Sequence, residues 1–513
     1  MTERPDGGRR RRRAKEDGRR ALGHPHHRHL SNPYRPLEIF SDDQVETIHE
    51  AALRLLSDTG VRVMLPEARA VLAGSETRID EETEIVRFDP ELVEKCLQAA
   101  PASIEVVSRT GERNMDLGDN SVALLPVAGP PYASDLDRGR RAGTLEDFEA
   151  FIKLTQSFDV LHSLCPSVEP QDTALAERHL RMTESQIRLS DKVPFVYSRG
   201  RAQVADCLEI IRIGSGVDRE AFEAVPRCWT VINTNSPRQI DLPMCEGIID
   251  FARAGQVAVI TPFTLAGAMA PVSLAGALTQ QHAEALAGVT LAQLVKSGAP
   301  VVYGAFTSNV DMRSGAPAFG TPEAFKAAVA SGQLARRVGL PWRSSGVSTS
   351  NTSDAQGGYE TMMNLFGALL GGANMIIHAA GWLESGLSAS YEKFILDVDM
   401  LQMIAESFQP IDTAAPEIGL EAIAAVNPGG HYFGTDHTLE RFRSAFYEPI
   451  VFDRSNFEQW VEAGSPDATQ RANAVWKSVL ADFEAPPLDE SIAAELADHV
   501  GRRVAEGGAL PRE

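Results

Sequence analysis

From Thr144 onward, short apolar runs alternate with amphipathic helical patterns, and this alternation constrains the fold more than any other feature of the chain. The runs are 160–165, 193–198, 228–234, 257–261, 301–306, 341–347 and 375–379, with a weaker one at 422–426. Helical patterns lie between them at 174–190, 201–213, 243–254, 278–296, 322–338, 355–371 and 388–406. Parallel strands need long crossovers and are buried on both faces, so they read as continuous apolar runs. Seven clear strand–helix units and one weaker one predict an α/β fold, a closed (β/α)8 TIM-type barrel. No GxGxxG follows the first run, and there is no P-loop, HExxH or GxSxG, which turns the reading away from dinucleotide, nucleotide and hydrolase folds.

The preceding segment has a different character. Ser41 stands at the N-cap of a helical pattern with Asp42 and Asp43 in its first turn and Gly60 closing it. A second helix follows at 89–99, then an extended run at 104–109 and a hairpin-like stretch at 122–137. Thr144, with Asp147 three residues on, forms a capping-box pattern that opens the first helix of the regular part. The division expected is a disordered Arg/His-rich tail (1–36), an α+β extension (37–143), the barrel with its C-terminal elements (144–482) and a C-terminal helical tail (483–513).

Charge and cysteine content limit the partners. The chain carries a net −21, although residues 1–36 hold eleven Lys/Arg against four Asp/Glu. The acidic body predicts no nucleic-acid binding. The arginine run 9–13 reads as a solubilising arm, with no apolar segment after it that would make a secretory signal. His24, His26, His27 and His29 fall in the same tail and are assigned no metal. Cys96, Cys165, Cys207, Cys228 and Cys245 are scattered without CxxC or metal-ligand spacing. Together with the lack of any membrane-span pattern, they point to the cytoplasm.

In a (β/α)8 barrel the chemistry sits beyond the carboxyl ends of the strands. The segments following the runs are rich in Ser, Thr, Asn and Gly and carry aromatics. The stretch MIIHAAGWLESGLSASYE (375–392) is the densest. There His378 closes a strand, and Trp382 and Glu384 stand on the loop that follows it. Phe263 and Phe306 lie at two other strand ends, and Asn309, Ser348 and Asn351 on the loops. Aromatic faces with a carboxylate nearby suit a quaternary ammonium ion through cation–π attraction. These residues alone do not specify a reaction.

GAFTSNVDMRSGAPAFGTPE (304–323), GGANMIIHAAGWLESGLSASYEKFILD (371–397) and NPGGHYFGTDHTLERFR (427–443) resemble the trimethylamine methyltransferase superfamily. So do GPPYASDLDRGRRAGTLEDF (129–148) and YEPIVFDRSNFEQWVEAGSPD (447–467). The resemblance spans roughly 36–480 and implies a (β/α)8 barrel that moves a methyl group from a methylated amine to the cobalt of a cognate corrinoid protein. The founding branch of that family uses a pyrrolysine. Ordinary Ser, Thr and Asn occupy the matching loop, 348–356, which is the pattern of the branch that includes glycine betaine methyltransferase. The resemblance therefore implies demethylation of a quaternary amine, with no tightly bound cofactor in this chain and the corrinoid on a partner. A homo-oligomer is expected. On this reading Trp382, Phe263 and Phe306 box the cation. Glu384 adds negative potential and is grouped with His378 as catalytic, while His378, Asn309 and Ser348 reach the polar end of the substrate and Asn351 is counted as substrate-binding. Another acceptor, such as a folate, and a non-catalytic binder of methylated amines are the alternatives.

Overall fold

The computed structural model describes residues 24–512. It is a mixed α/β fold in which a parallel sheet curls around an apolar interior. Its strands, in chain order, are β1 (Ser121–Leu124), β2 (Trp229–Thr234), β3 (Val257–Ala266), β4 (Val301–Gly304), β5 (Trp342–Ser345) and β6 (Met375–Ile377). They pair in parallel in the spatial order β1-β6-β5-β4-β3-β2. The chain after β4 resumes as Phe306–Val310, which also pairs with β3. Eight helices cover the outer face: α1 (Leu145–Ser157), α2 (Leu175–Leu189), α3 (Arg201–Ser215), α4 (Leu242–Ala254), α5 (Leu274–Val295), α6 (Pro322–Arg337), α7 (Ala355–Leu370) and α8 (Tyr391–Ser407).

Two extended segments span the gap between the outermost strands, β1 and β2. His162 N donates to Leu124 O at 2.9 Å, Leu164 N to Val193 O at 2.9 Å, and Val196 N to Trp229 O at 3.0 Å. The Ser163–Val193 and Phe195–Trp229 pairings are single parallel bridges rather than full ladders. Fully buried Trp229 ties the same region together by donating its Nε1–H to Ser163 Oγ at 2.8 Å.

Local sequence signals account for most helix starts. Thr144 and Asp147 form the reciprocal capping box at α1, and Ser41 and Gln44 form one at the helix Asp42–Arg54. Each satisfies backbone N–H groups that the first turn leaves unpaired. Inside the curl, Leu125, Cys165, Val193, Phe195, Trp229 and Val259 pack with their neighbours into one apolar cluster. The hairpin Ile104–Val106 with Met115–Leu117 joins that cluster and closes one end.

Three sequence expectations change. The weaker run 422–426 is not a strand: Leu420–Ala425 is a short helix with exposed apolar side chains. The strand that completes the sheet is β1, from the segment expected to be a separate extension. Its segment reads as part of a hairpin-like stretch, because its parallel partner β6 lies far along the chain and no helix of the regular alternation leads into it. The tail expected to be disordered is folded from residue 24: Pro25–Arg28 form a turn, Leu30–Ser31 pair with β1, and His27 is fully buried. Residues 1–23, with the arginine run, lie outside the described residues. The helix Glu490–Ala505, from the expected C-terminal tail, packs through Leu496 and Val500, and Arg503 pairs with Asp206 of α3 at 2.7 Å. All five cysteines are free and buried. Among the described residues, no helix is long and apolar enough to cross a membrane.

Candidate active site

The carboxyl ends of β3 to β6 carry a continuous chain of aromatic rings. Phe263 and Phe306 are register partners, with centroids 4.9 Å apart in an edge-to-face arrangement. Phe306 stacks on Phe319 at 5.4 Å and reaches the His378 ring at 6.1 Å, and His378 meets Trp382 at 4.2 Å. His378 follows β6 directly and is left-handed (φ 64°). A bulky residue there is strained, by about 1–3 kcal/mol, and such strain gathers at functional sites. Hydrogen bonds hold it in place: His378 N donates to Pro126 O at 3.1 Å and Ala379 N to Leu125 O at 2.9 Å. The amide of Ala128 donates to His378 Nδ1 at 3.2 Å, so the ring proton sits on Nε2. Burial, reinforced by nearby Arg343, pushes the imidazole well below its usual range and keeps it neutral.

Arg343 is not among the residues that the sequence marks for the site. It lies in β5 in register with Gly304 on one side and Met375 on the other, pointing to the same interior as Met375. Gly304 admits no side chain, since a Cβ there would lie 2.1 Å from Thr261 Oγ1. Arg343 is fully buried, and its Nε and Nη1 have no hydrogen-bond partner. Among the described residues it forms no ion pair, and its nearest compensation is the Phe306 face, 5.3 Å from its Cζ. Burial pulls its pKa down, to about 9, which still leaves it charged at neutral pH. Tyr197 OH, Ser345 Oγ and Trp382 Nε1 are also buried without a partner. A buried guanidinium with open donors costs several kcal/mol unless an anion meets it. The only sequence signal was an arginine in the middle of a buried parallel strand.

The other expected residues lie elsewhere. Glu384, also left-handed (φ 53°), is ion-paired with Arg140 at 2.8 Å, and the Arg140 guanidinium covers the Tyr132 ring at 3.6 Å. Its charge is thus matched outside the aromatic chain. Ser348 Oγ donates to Glu360 Oε2 at 2.8 Å and accepts from Ser350 N, which makes it part of the loop's own framework. Asn309 bonds to Thr321 Oγ1 and Val310 O, and Asn351 is exposed. Phe263, Phe306, His378 and Trp382 therefore come together with Arg343, whereas Asn309, Ser348, Asn351 and Glu384 do not join them.

A fully buried, unpartnered guanidinium beside a chain of aromatic rings can meet an anion joined to an apolar or cationic group. The family pattern described as trimethylamine methyltransferase (MTTB) matches residues 6–508, nearly the whole chain. This chain belongs to the trimethylamine methyltransferase family. A glycine betaine methyltransferase of Desulfitobacterium hafniense (strain Y51) is 36% identical over 472 residues, covering 92% of this chain and 98% of the relative. A trimethylamine methyltransferase MttB of the same species (strain DSM 10664 / DCB-2) is 29% identical over 459 residues, covering 89% and 92%. Among solved structures, the Methanosarcina barkeri monomethylamine methyltransferase (MtmB) superposes with a TM-score of 0.49 at 10% identity, covering 89% of this chain and 91% of that one.

Proposed function

We propose that this family member demethylates a zwitterionic quaternary amine of the glycine betaine type and passes the methyl group to a corrinoid protein. The observation that carries the proposal is the unpaired, fully buried Arg343 guanidinium beside the ring chain Phe263–Phe306–His378–Trp382. A lone quaternary ammonium would be repelled by that guanidinium. A betaine places its carboxylate between the two cations, on Nε and Nη1, and lays its trimethylammonium head against the rings. His378 Nε2–H and Tyr197 OH serve as further donors to the carboxylate. The ion pair of Glu384 with Arg140 pins the loop that carries Trp382.

The corrinoid protein supplies a Co(I) nucleophile that takes the methyl carbon while the C–N bonding pair returns to nitrogen. The leaving group is a neutral tertiary amine, so no proton has to be delivered to it. This chain contributes orientation and the exclusion of water. The similarity to a glycine betaine methyltransferase over nearly the whole length of both chains supports the substrate class. We also read β1 to β6 with the two bridging segments as a closed (β/α)8 barrel, an arrangement supported by the hydrogen bonds that span the gap. The cytoplasm is the proposed compartment, in keeping with five free cysteines.

Calorimetry with glycine betaine, proline betaine, carnitine, choline, dimethylglycine and trimethylamine tests the proposal. The expected result is binding of carboxylate-bearing quaternary amines and none of choline or trimethylamine. Methylation of a Co(I) corrinoid protein by the bound compound should follow. Choline binding as tightly as glycine betaine overturns the carboxylate assignment.

A further inference from the structure

At the far end of α8 from the aromatic site, three histidines of the N-terminal turn gather around one carboxylate. Glu406 stands in the last turn of α8, about 22 Å along the helix from Tyr391 at 1.5 Å per residue. His26 Nε2 and His27 Nε2 both lie against Glu406 Oε1, at 2.7 and 2.9 Å. The His24 ring packs 4.7 Å from His27 and 5.4 Å from His26. Potential ligand atoms of His24, His26 and Glu406 all fall within 4.8 Å of one another. His24 Nε2 is buried without a hydrogen-bond partner.

We infer that His24, His26 and Glu406 form a binding site for a zinc-class divalent cation that fastens the N-terminal segment to the end of α8. Two borderline imidazoles with a carboxylate oxygen are a ligand set that Zn2+ accepts, with a water completing the tetrahedron. Ligand atoms around a tetrahedral Zn2+ stand about 3.3 Å apart for bonds near 2.0 Å. Bringing the three ligand atoms, which lie within 4.8 Å of one another, to that separation needs side-chain shifts of about 1.5 Å or less.

The surroundings are those of a built site rather than a loose histidine run. His27 N donates to His24 O at 2.8 Å, closing the turn that sets His24 beside His26. The His27 carbonyl accepts from His162 Nε2 at 2.9 Å, and Arg28 pairs with Asp159 at 3.1 Å. Both anchors fix the turn to the body of the protein. His27 is fully buried and bonds to the candidate ligand Glu406, which makes it a positioning residue that orients the carboxylate. The proposal departs from the sequence expectation of no metal, which rests on the four histidines lying in a tail without a fold.

The full-length protein, dialysed against EDTA and then into buffer, should bind one equivalent of Zn2+ in competition with a chromophoric chelator. Added Zn2+ should also raise its melting temperature. Co2+ as a probe should give the visible d–d absorption of a tetrahedral site. His24→Ala and Glu406→Gln should each weaken binding at least tenfold, while His29→Ala, outside the cluster, leaves it unchanged. Circular dichroism of the EDTA-treated variants separates lost ligation from lost folding. The proposal is overturned if Zn2+ does not bind stoichiometrically. It is equally overturned if Glu406→Gln binds as tightly as the parent, or if His29→Ala weakens binding as much as His24→Ala. The last two results are those of an adventitious histidine run.

Discussion

The guanidinium of Arg343 lies 5.3 Å from the centre of the Phe306 ring, and among the described residues it forms no ion pair. A fully buried cation with two unpartnered nitrogens is an instability of the fold that an anionic ligand would relieve. Arg343→Met keeps a flexible unbranched side chain, though a shorter one, and removes the charge. The variant should melt at a higher temperature than the parent, because an uncompensated buried charge is gone. It should also bind glycine betaine at least 30-fold more weakly, the lower end of the 2–5 kcal/mol lost when one partner of a buried charge pair is truncated. Differential scanning fluorimetry and calorimetry on the same sample check both signs together.

Trp382 closes the ring chain against His378 at 4.2 Å. Trp382→Ala removes a cation–π face worth about 2 kcal/mol when desolvated. Betaine affinity should fall by roughly 30-fold by calorimetry, and unchanged affinity would remove Trp382 from the box. Trp382→Phe, which keeps an aromatic face, should recover most of the loss.

His162 sets an acid limit on stability. It is buried: the Leu124 amide donates to its Nδ1 at 3.0 Å, and its Nε2–H donates to the His27 carbonyl. Burial first, then the nearby Lys192 charge, lowers its pKa to about 4. Between pH 6.5 and 4 the unfolded chain takes up a proton here that the folded chain refuses. The stabilisation is therefore complete above about pH 6.5 and is lost as pH falls toward 4, by about 3 kcal/mol for this group. Melting temperatures measured across that interval should fall steeply, and His162→Asn should flatten the slope. An unchanged slope would show that another group carries it.

The segment 411–461 leaves an unusual number of large apolar side chains in solvent. Ile411 is 90% exposed, Phe433 81% and Phe446 83%. Monomers seldom leave such a concentration uncovered. Light scattering should report an assembly larger than one chain, and Phe433→Asp with Phe446→Asp should shift it toward the monomer. A monomeric parent protein at micromolar concentration refutes self-association through this arm.

Within the fold, the features legible in advance are local ones. Thr144 with Asp147 and Ser41 at the Asp42–Arg54 helix are interactions over three residues. The helical and apolar runs that became α2 to α8 and β2 to β6 also express short-range periodicity. His378 and Trp382 were legible because a strand emptying into a small, polar, aromatic loop marks a strand end. The tail was misread because the partners of His26 and His27 lie on Glu406, about 380 residues away.

By itself the sequence determined the alternation of elements, the helix starts, the aromatic strand ends and, through its long motifs, the family. Each of these rests on contacts within a turn or two, or on residues contiguous in the chain. Only the tertiary structure decided that β1 completes the sheet and that Glu384 is matched by Arg140. It also decided that Arg343 is left without a partner and that His24, His26 and Glu406 meet. Whether a charge is paired depends on what the rest of the chain brings within about 4 Å of it, and no periodicity along the chain encodes that.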